Sequence, residues 1–134
     1  MKIQSILLSL FLPTFFAFAN DVDCKNTATT VENNACVGAA LENENKVLTL
    51  YLNKAKERYA EQSKLITLIS SSQKQWLLYR QSHCDAIYTV WSDGSIRAVM
   101  FGECMLKLTK QRTHQIWEDY LTYMDNTPPL LPEP

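Results

Sequence analysis

Four cysteines, two histidines, a triple serine and scattered carboxylates are the residues of this 134-residue chain that could do chemistry. Cys24 and Cys36 are 12 residues apart and Cys84 and Cys104 are 20 apart. Neither spacing fits a zinc knuckle or a CxxC redox pair, so structural bridging is the role these thiols suit. His83 and His114 lie far apart, and a metal would need a third ligand such as Glu118 one turn beyond His114. Partly exposed polar helix positions account for them better, and no metal site or cofactor is expected. Ser70, Ser71 and Ser72 have no glycine elbow or adjacent histidine to activate them. The pairs Glu42/Glu44, Glu57/Glu61 and Glu118/Asp119 read as solvated faces, not as a shielded acid–base pair. Nothing in this inventory argues for catalysis, and the chain is expected not to be an enzyme.

The cysteines matter because of what precedes them. Met1-Lys2 is a basic start, residues 6–12 are apolar, and Ala17-Phe18-Ala19 is a small-x-small cleavage site. Residues 1–19 therefore read as a signal peptide, and the rest as a periodic, single domain of residues 20–125 followed by a proline-rich tail. Export places the cysteines in an oxidising compartment, periplasmic or secreted, where an even number implies two disulfides. Loss of Lys2 with the signal moves the net charge from -1 to -2. So near-neutral a chain offers no basic surface to nucleic acid. No second long apolar run follows, so no membrane span is expected in the mature form.

The elements that must position these residues follow from proline placement. Residues 20–127 contain no proline, so long helices are permitted, whereas Pro128, Pro129, Pro132 and Pro134 crowd the last seven residues. Residues 126–134 are expected to be extended and mobile. Apolar stripes at helical spacing run through Leu41, Leu48, Leu52, Ala55 and Tyr59, then Leu65, Leu68, Ile69, Trp76 and Ile87, then Met100, Cys104, Leu108, Ile116 and Tyr120. Breaks fall near residues 60–63 and at Ser92-Asp93-Gly94-Ser95, where the glycine permits positive φ. The pattern predicts an all-α, three-helix antiparallel bundle with helices over residues 32–60, 63–90 and 96–124. Three disulfide pairings are possible. Cys84 and Cys104 each lie ten residues from Gly94, which favours Cys84–Cys104 across the hairpin and Cys24–Cys36 at the start of the first helix.

Trp76, Tyr79 and Arg80 carry further information, with Cys84 one turn beyond Arg80 and Arg112 set inside the third stripe. An arginine in an apolar stripe needs a partner. Here the chain resembles the LprI-like lysozyme-inhibitor domain, an exported four-cysteine helical domain of bacteria. The opening is Cys24, Thr29 and Glu32-Asn33-Asn34-Ala35-Cys36. The middle is Gln73-Lys74-Gln75-Trp76-Leu77-Leu78-Tyr79-Arg80-Gln81-Ser82-His83-Cys84. The end is Asp93-Gly94-Ser95, Cys104 and Leu108-Thr109-Lys110-Gln111-Arg112. Gln81 stands where the family usually has an acid, and Asp93 where it has a glycine. The family's first-helix Asp-x-x-Leu-Asn-x-x-Tyr stands here as Asn45-Lys46-Val47-Leu48-Thr49-Leu50-Tyr51-Leu52.

The resemblance implies a small extracytoplasmic binding protein, some relatives of which inhibit lysozyme, acting by occlusion without catalysis. Its partner would be a lysozyme or another envelope protein. A second expectation is a structural or accessory envelope module, because folding alone can explain nearly every matched residue. Positions summing to 188 lie at equal height in the hairpin, so Arg112 is expected against the Trp76 indole, with Glu32 as a candidate carboxylate partner.

Overall fold

The computed structural model describes residues 23–134. The expected signal peptide lies outside the described residues. Three helices follow in order: α1 (Thr30–Arg58), α2 (Ser63–Val90) and α3 (Arg97–Tyr120). Among the described residues there is no strand. The all-α bundle read from periodicity is the fold, and α2 matches its expected range. α3 stops four residues short of expectation, at Tyr120.

α1 starts where its sequence supplies a cap. Thr29 Oγ1 accepts the Glu32 N–H at 3.2 Å, and the Glu32 carboxylate accepts the N–H groups of Ala28 and Thr29, each at 2.9 Å. This capping box satisfies amides that a helix start leaves without partners. The N–H groups of Ala28 and Thr29 hold the Glu32 carboxyl below the usual glutamate range. Glu32 is therefore occupied at the start of α1 and is not the partner of Arg112. The Cys24–Cys36 disulfide ties the preceding segment to the second turn of α1, with Cα atoms 5.6 Å apart.

The other end of α1 terminates α3 as well. Arg58 Nη1 donates to the carbonyls of Tyr120 and Thr122 at 2.7 and 2.8 Å. A cation on the last carbonyls of a helix satisfies orphan acceptors and opposes the negative end of its dipole. The guanidinium also lies 4.2 Å from the Tyr123 ring centroid. A charge-assisted cap from a neighbouring helix explains why α3 ends at Tyr120 despite further helix-compatible residues.

α3 is the middle helix, packed against both α1 and α2. α1 and α3 run parallel and α2 runs opposite to both, joined by the short turns at residues 59–62 and 91–96. The core cluster is Leu48, Tyr51 and Ala55 of α1 with Ile116 of α3 and Leu121. Trp76, Trp117, Tyr120 and Leu131 pack on its edges. Cys84–Cys104 fastens α2 to α3, with Cα atoms 5.7 Å apart, as equal height across the hairpin requires. In the loop-entropy account each bridge contributes about 3 kcal/mol, a large share of the stability of so small a core.

Two expectations change here. The tail contains no helix, as its prolines dictate, but it is docked: Leu131 packs on the core cluster and Trp117 donates its indole N–H to the Leu131 carbonyl at 2.9 Å. Apolar contact and a carbonyl that no proline-rich conformation satisfies internally hold it down. Gly94 does not adopt positive φ. The turn is built from i→i+3 bonds, Gly94 N–H to the Trp91 carbonyl and Arg97 N–H to the Gly94 carbonyl. A Cβ at Gly94 would meet nothing closer than 3.6 Å.

The glycine that the packing does require is Gly102. A Cβ there would lie 2.5 Å from Val37 Cγ1, so α1 and α3 approach closely where α3 lacks a side chain. Gly102→Ala gains about 1 kcal/mol of helix propensity but overpacks against a stiff β-branched neighbour, at about 1–3 kcal/mol. The expected result is a lower thermal midpoint, recovered at least in part by adding Val37→Ala. A midpoint that rises with Gly102→Ala alone would show that the helices separate without cost.

Candidate functional site

Four of the residues singled out by sequence, Trp76, Arg80, Thr109 and Arg112, converge between the helices. Arg80 of α2 extends Nη1 to Asn45 Oδ1 of α1 at 2.9 Å and to Thr109 Oγ1 of α3 at 2.7 Å. One guanidinium therefore bridges all three helices. Its carbon lies 4.8 Å from the Trp76 ring centroid, a cation–π distance. Thr109 is fully buried and passes its own proton to the Met105 carbonyl at 2.7 Å. It serves as acceptor for the arginine and donor to the helix at once.

Arg112 of α3 approaches the same tryptophan, 6.0 Å from the ring centroid. Trp76 thus meets two guanidinium groups, with Arg80 the nearer. Arg112 is 7% exposed. Its Nε donates to Gln73 at 3.1 Å, Nη1 to Gln115 at 2.7 Å and Nη2 to Ser72 at 3.1 Å. Planar guanidinium groups suit such a fan of fixed acceptors. Burial works against the charge of both arginines, and among the described residues neither has a carboxylate within ion-pair distance. Neutral amides, hydroxyls and one indole face do the compensating. Arg80 Nε is left buried without a hydrogen-bond partner.

Ser72 is thereby absorbed into the Arg112 network, and α2 runs unbroken through all three serines. Tyr79 points outward and stacks on His83, with ring centroids 5.6 Å apart. His114 lies at the tail, 3.0 Å from Glu133. Among the described residues, no group of three His, Cys, Asp or Glu side chains is placed to hold a metal. Asn45, Gln73 and Gln115 complete the arginine network without having been expected there. A neutral amide on a helix gives no sequence signal of burial.

Two outer features remain. One is a shallow groove of about 400 Å³ between α2 and α3 beside the Cys84–Cys104 bridge, where Ile87, Met100 and Leu108 sit among His83, Glu103 and Lys107. The other is the hairpin tip beyond that bridge. Tyr88, Val90, Trp91 and Ile96 are 39%, 76%, 42% and 41% exposed within nine residues. Phe101 meets Tyr88 edge-to-face at 6.1 Å. Arg97 is held back, over the Tyr88 ring at 5.3 Å and on the Ser92 carbonyl at 3.2 Å. Asp85 and Asp93 are exposed at the same end. The tip, cross-linked at its base by Cys84–Cys104, presents these apolar side chains to solvent beside two carboxylates.

Arg112→Ala removes the partner of Gln73, Gln115 and Ser72 and leaves the buried Gln73 amide short of a partner. It should cost about 1–3 kcal/mol and lower the melting temperature by several degrees. If melting is unchanged while binding to a target is lost, the arginine belongs to a recognition site instead.

No curated protein and no solved structure matches the chain. The sequence profile described as lysozyme inhibitor LprI matches residues 23–116, more than two thirds of the chain. With its four cysteines joined in two disulfides and its helices cross-braced through Trp76, Arg80 and Arg112, the chain belongs to the LprI lysozyme inhibitor family.

Proposed function

We propose that this protein is an extracytoplasmic inhibitor of lysozyme, or of a closely similar wall-cleaving enzyme, that acts by occlusion. The family match supports the partner class. The two disulfides suit a periplasmic or secreted setting. The observation that carries the contact face is the direction of the side chains. Trp76, Arg80, Thr109 and Arg112 are spent on the fold, whereas Trp91, Val90 and Ile96 face solvent at a braced convex end. Trp and Tyr at such a tip have the size and rigidity of interface hot spots. A convex wedge enters an enzyme cleft, and Asp85 and Asp93 suit a basic rim.

Clearing of cell-wall suspensions by c-type, g-type and i-type lysozymes should slow in the presence of micromolar oxidised protein for at least one type. Unimpeded clearing by all three would remove this reading. Within an inhibited pair, Trp91→Ala combined with Ile96→Ala should weaken inhibition at least tenfold and leave the melting temperature within a degree or two. Full potency of that double variant would place the contact face elsewhere. A second reading, an accessory envelope module, is favoured by the inward-facing part of the motif, because Trp76, Arg80, Thr109 and Arg112 are all engaged within the fold. Crosslinking in the periplasm that captures an envelope protein and no lysozyme would select it.

A further inference from the structure

The tail of this chain behaves as a bound peptide. Residues 130–133 run back along α3 in the groove it forms with α1. Every groove side chain that donates to the backbone here donates to a carbonyl. Trp117 Nε1 reaches the Leu131 carbonyl at 2.9 Å, and the Tyr51 hydroxyl reaches the Pro132 carbonyl at 2.8 Å. The Leu121 carbonyl accepts the Leu130 N–H at 2.9 Å. Leu131 inserts as the apolar anchor against the core cluster. Glu133 meets His114 Nε2 at 3.0 Å. Tyr51 is 5% exposed, and burial pushes its hydroxyl pKa up, so the O–H stays a donor.

This is the physical pattern by which aromatic-lined grooves take proline-rich segments. Such a segment has outward carbonyls with no internal partner and little entropy left to lose. Aromatic O–H and N–H donors read the carbonyls, and an aliphatic pocket reads the residue before proline. The family match ends at residue 116, so it covers Tyr51 and His114 but not the tail. Of the groove wall, Tyr51 and His114 lie within the match, whereas Trp117 and Leu121 lie beyond it with the tail.

We propose that the α1–α3 groove is a recognition site for extended proline-rich peptides of the Leu-Pro-acidic kind, with the chain's own tail as its resident ligand. A tethered ligand acts at an effective concentration of order millimolar, so an outside segment binds measurably only where the tail is weakened or the segment is abundant.

The test uses the full chain and the nine-residue peptide of residues 126–134. Leu131→Asp removes the anchor and frees the groove. Titrated against this variant and followed by Trp fluorescence or calorimetry, the peptide should bind saturably, at least tenfold more tightly than to the unmodified chain. A scrambled peptide should not bind. If the variant does not fold, the unmodified protein still decides. Excess peptide at several millimolar should move NMR resonances of residues 128–134 toward free-chain positions while leaving the Trp117 indole N–H at its bound position. No saturable binding to a folded variant, equal binding of the scrambled peptide, or tail resonances indifferent to the peptide would each overturn the proposal. A concentration-dependent dimer of the unmodified chain with exchanged tails would overturn the assignment of the tail as an in-cis ligand.

Discussion

One half-buried cation sets the relation of the three helices. Arg80 leaves α2, crosses to Asn45 on α1 and to Thr109 on α3, and lies over Trp76 on the way. A guanidinium cannot shed its charge to escape burial, so it must be matched by geometry. Every match here comes from a different helix. A shift of α1 or α3 by one turn would take away one of its two hydrogen-bond partners, at a cost of about 1–3 kcal/mol. Apolar contact between helices is tolerant of sliding by comparison. The arginine therefore specifies register where the core supplies cohesion. Thr109 and Arg112, three residues apart on α3, extend the arrangement on one face.

The remaining structure closes what this frame leaves open. α3 is covered by α1 on one side and α2 on the other, and the core between them is small. The two disulfides restrict the unfolded chain at both ends of the frame, one at the start of α1 and one across the hairpin. Arg58 finishes α3 from the end of α1, and the tail lays Leu131 over the edge of the core. Apolar side chains are left exposed where packing ends, at residues 88–96.

Much of this frame was legible in the sequence because it obeys simple periodicities. The absence of proline from residues 20–127 and the four-residue stripe from Met100 to Tyr120 gave three helices within a few residues. Equal spacing of Cys84 and Cys104 about Gly94 gave their pairing, and the same arithmetic brought Arg112 toward Trp76. The misses have a common physical cause. Glu32, Asn45, Gln73 and Arg58 are polar side chains whose partners are fixed by tertiary approach, and local pattern carries no sign of it. Glu32 took the local option, the cap three residues back, in preference to a distant arginine. The tail was misread as mobile because proline signals extended backbone but says nothing about whether a groove with aromatic donors awaits it. Gly94 was credited with a conformation the turn does not use, while Gly102, inside a helix, is the glycine that close packing demands.

The most direct test of the register role of Arg80 is to strengthen its weakest partner. Asn45→Asp puts a carboxylate oxygen where the amide oxygen now sits, 2.9 Å from Nη1. A charge-assisted bond to a half-buried guanidinium should raise stability by about 1–2 kcal/mol, read as a higher denaturant midpoint near neutral pH. The gain should be present above the ordinary aspartate pKa and fade as pH falls through the depressed value in the folded state. An unchanged or lower midpoint at neutral pH would contradict the account, because the Arg80–Asn45 contact would then not hold α1 in place.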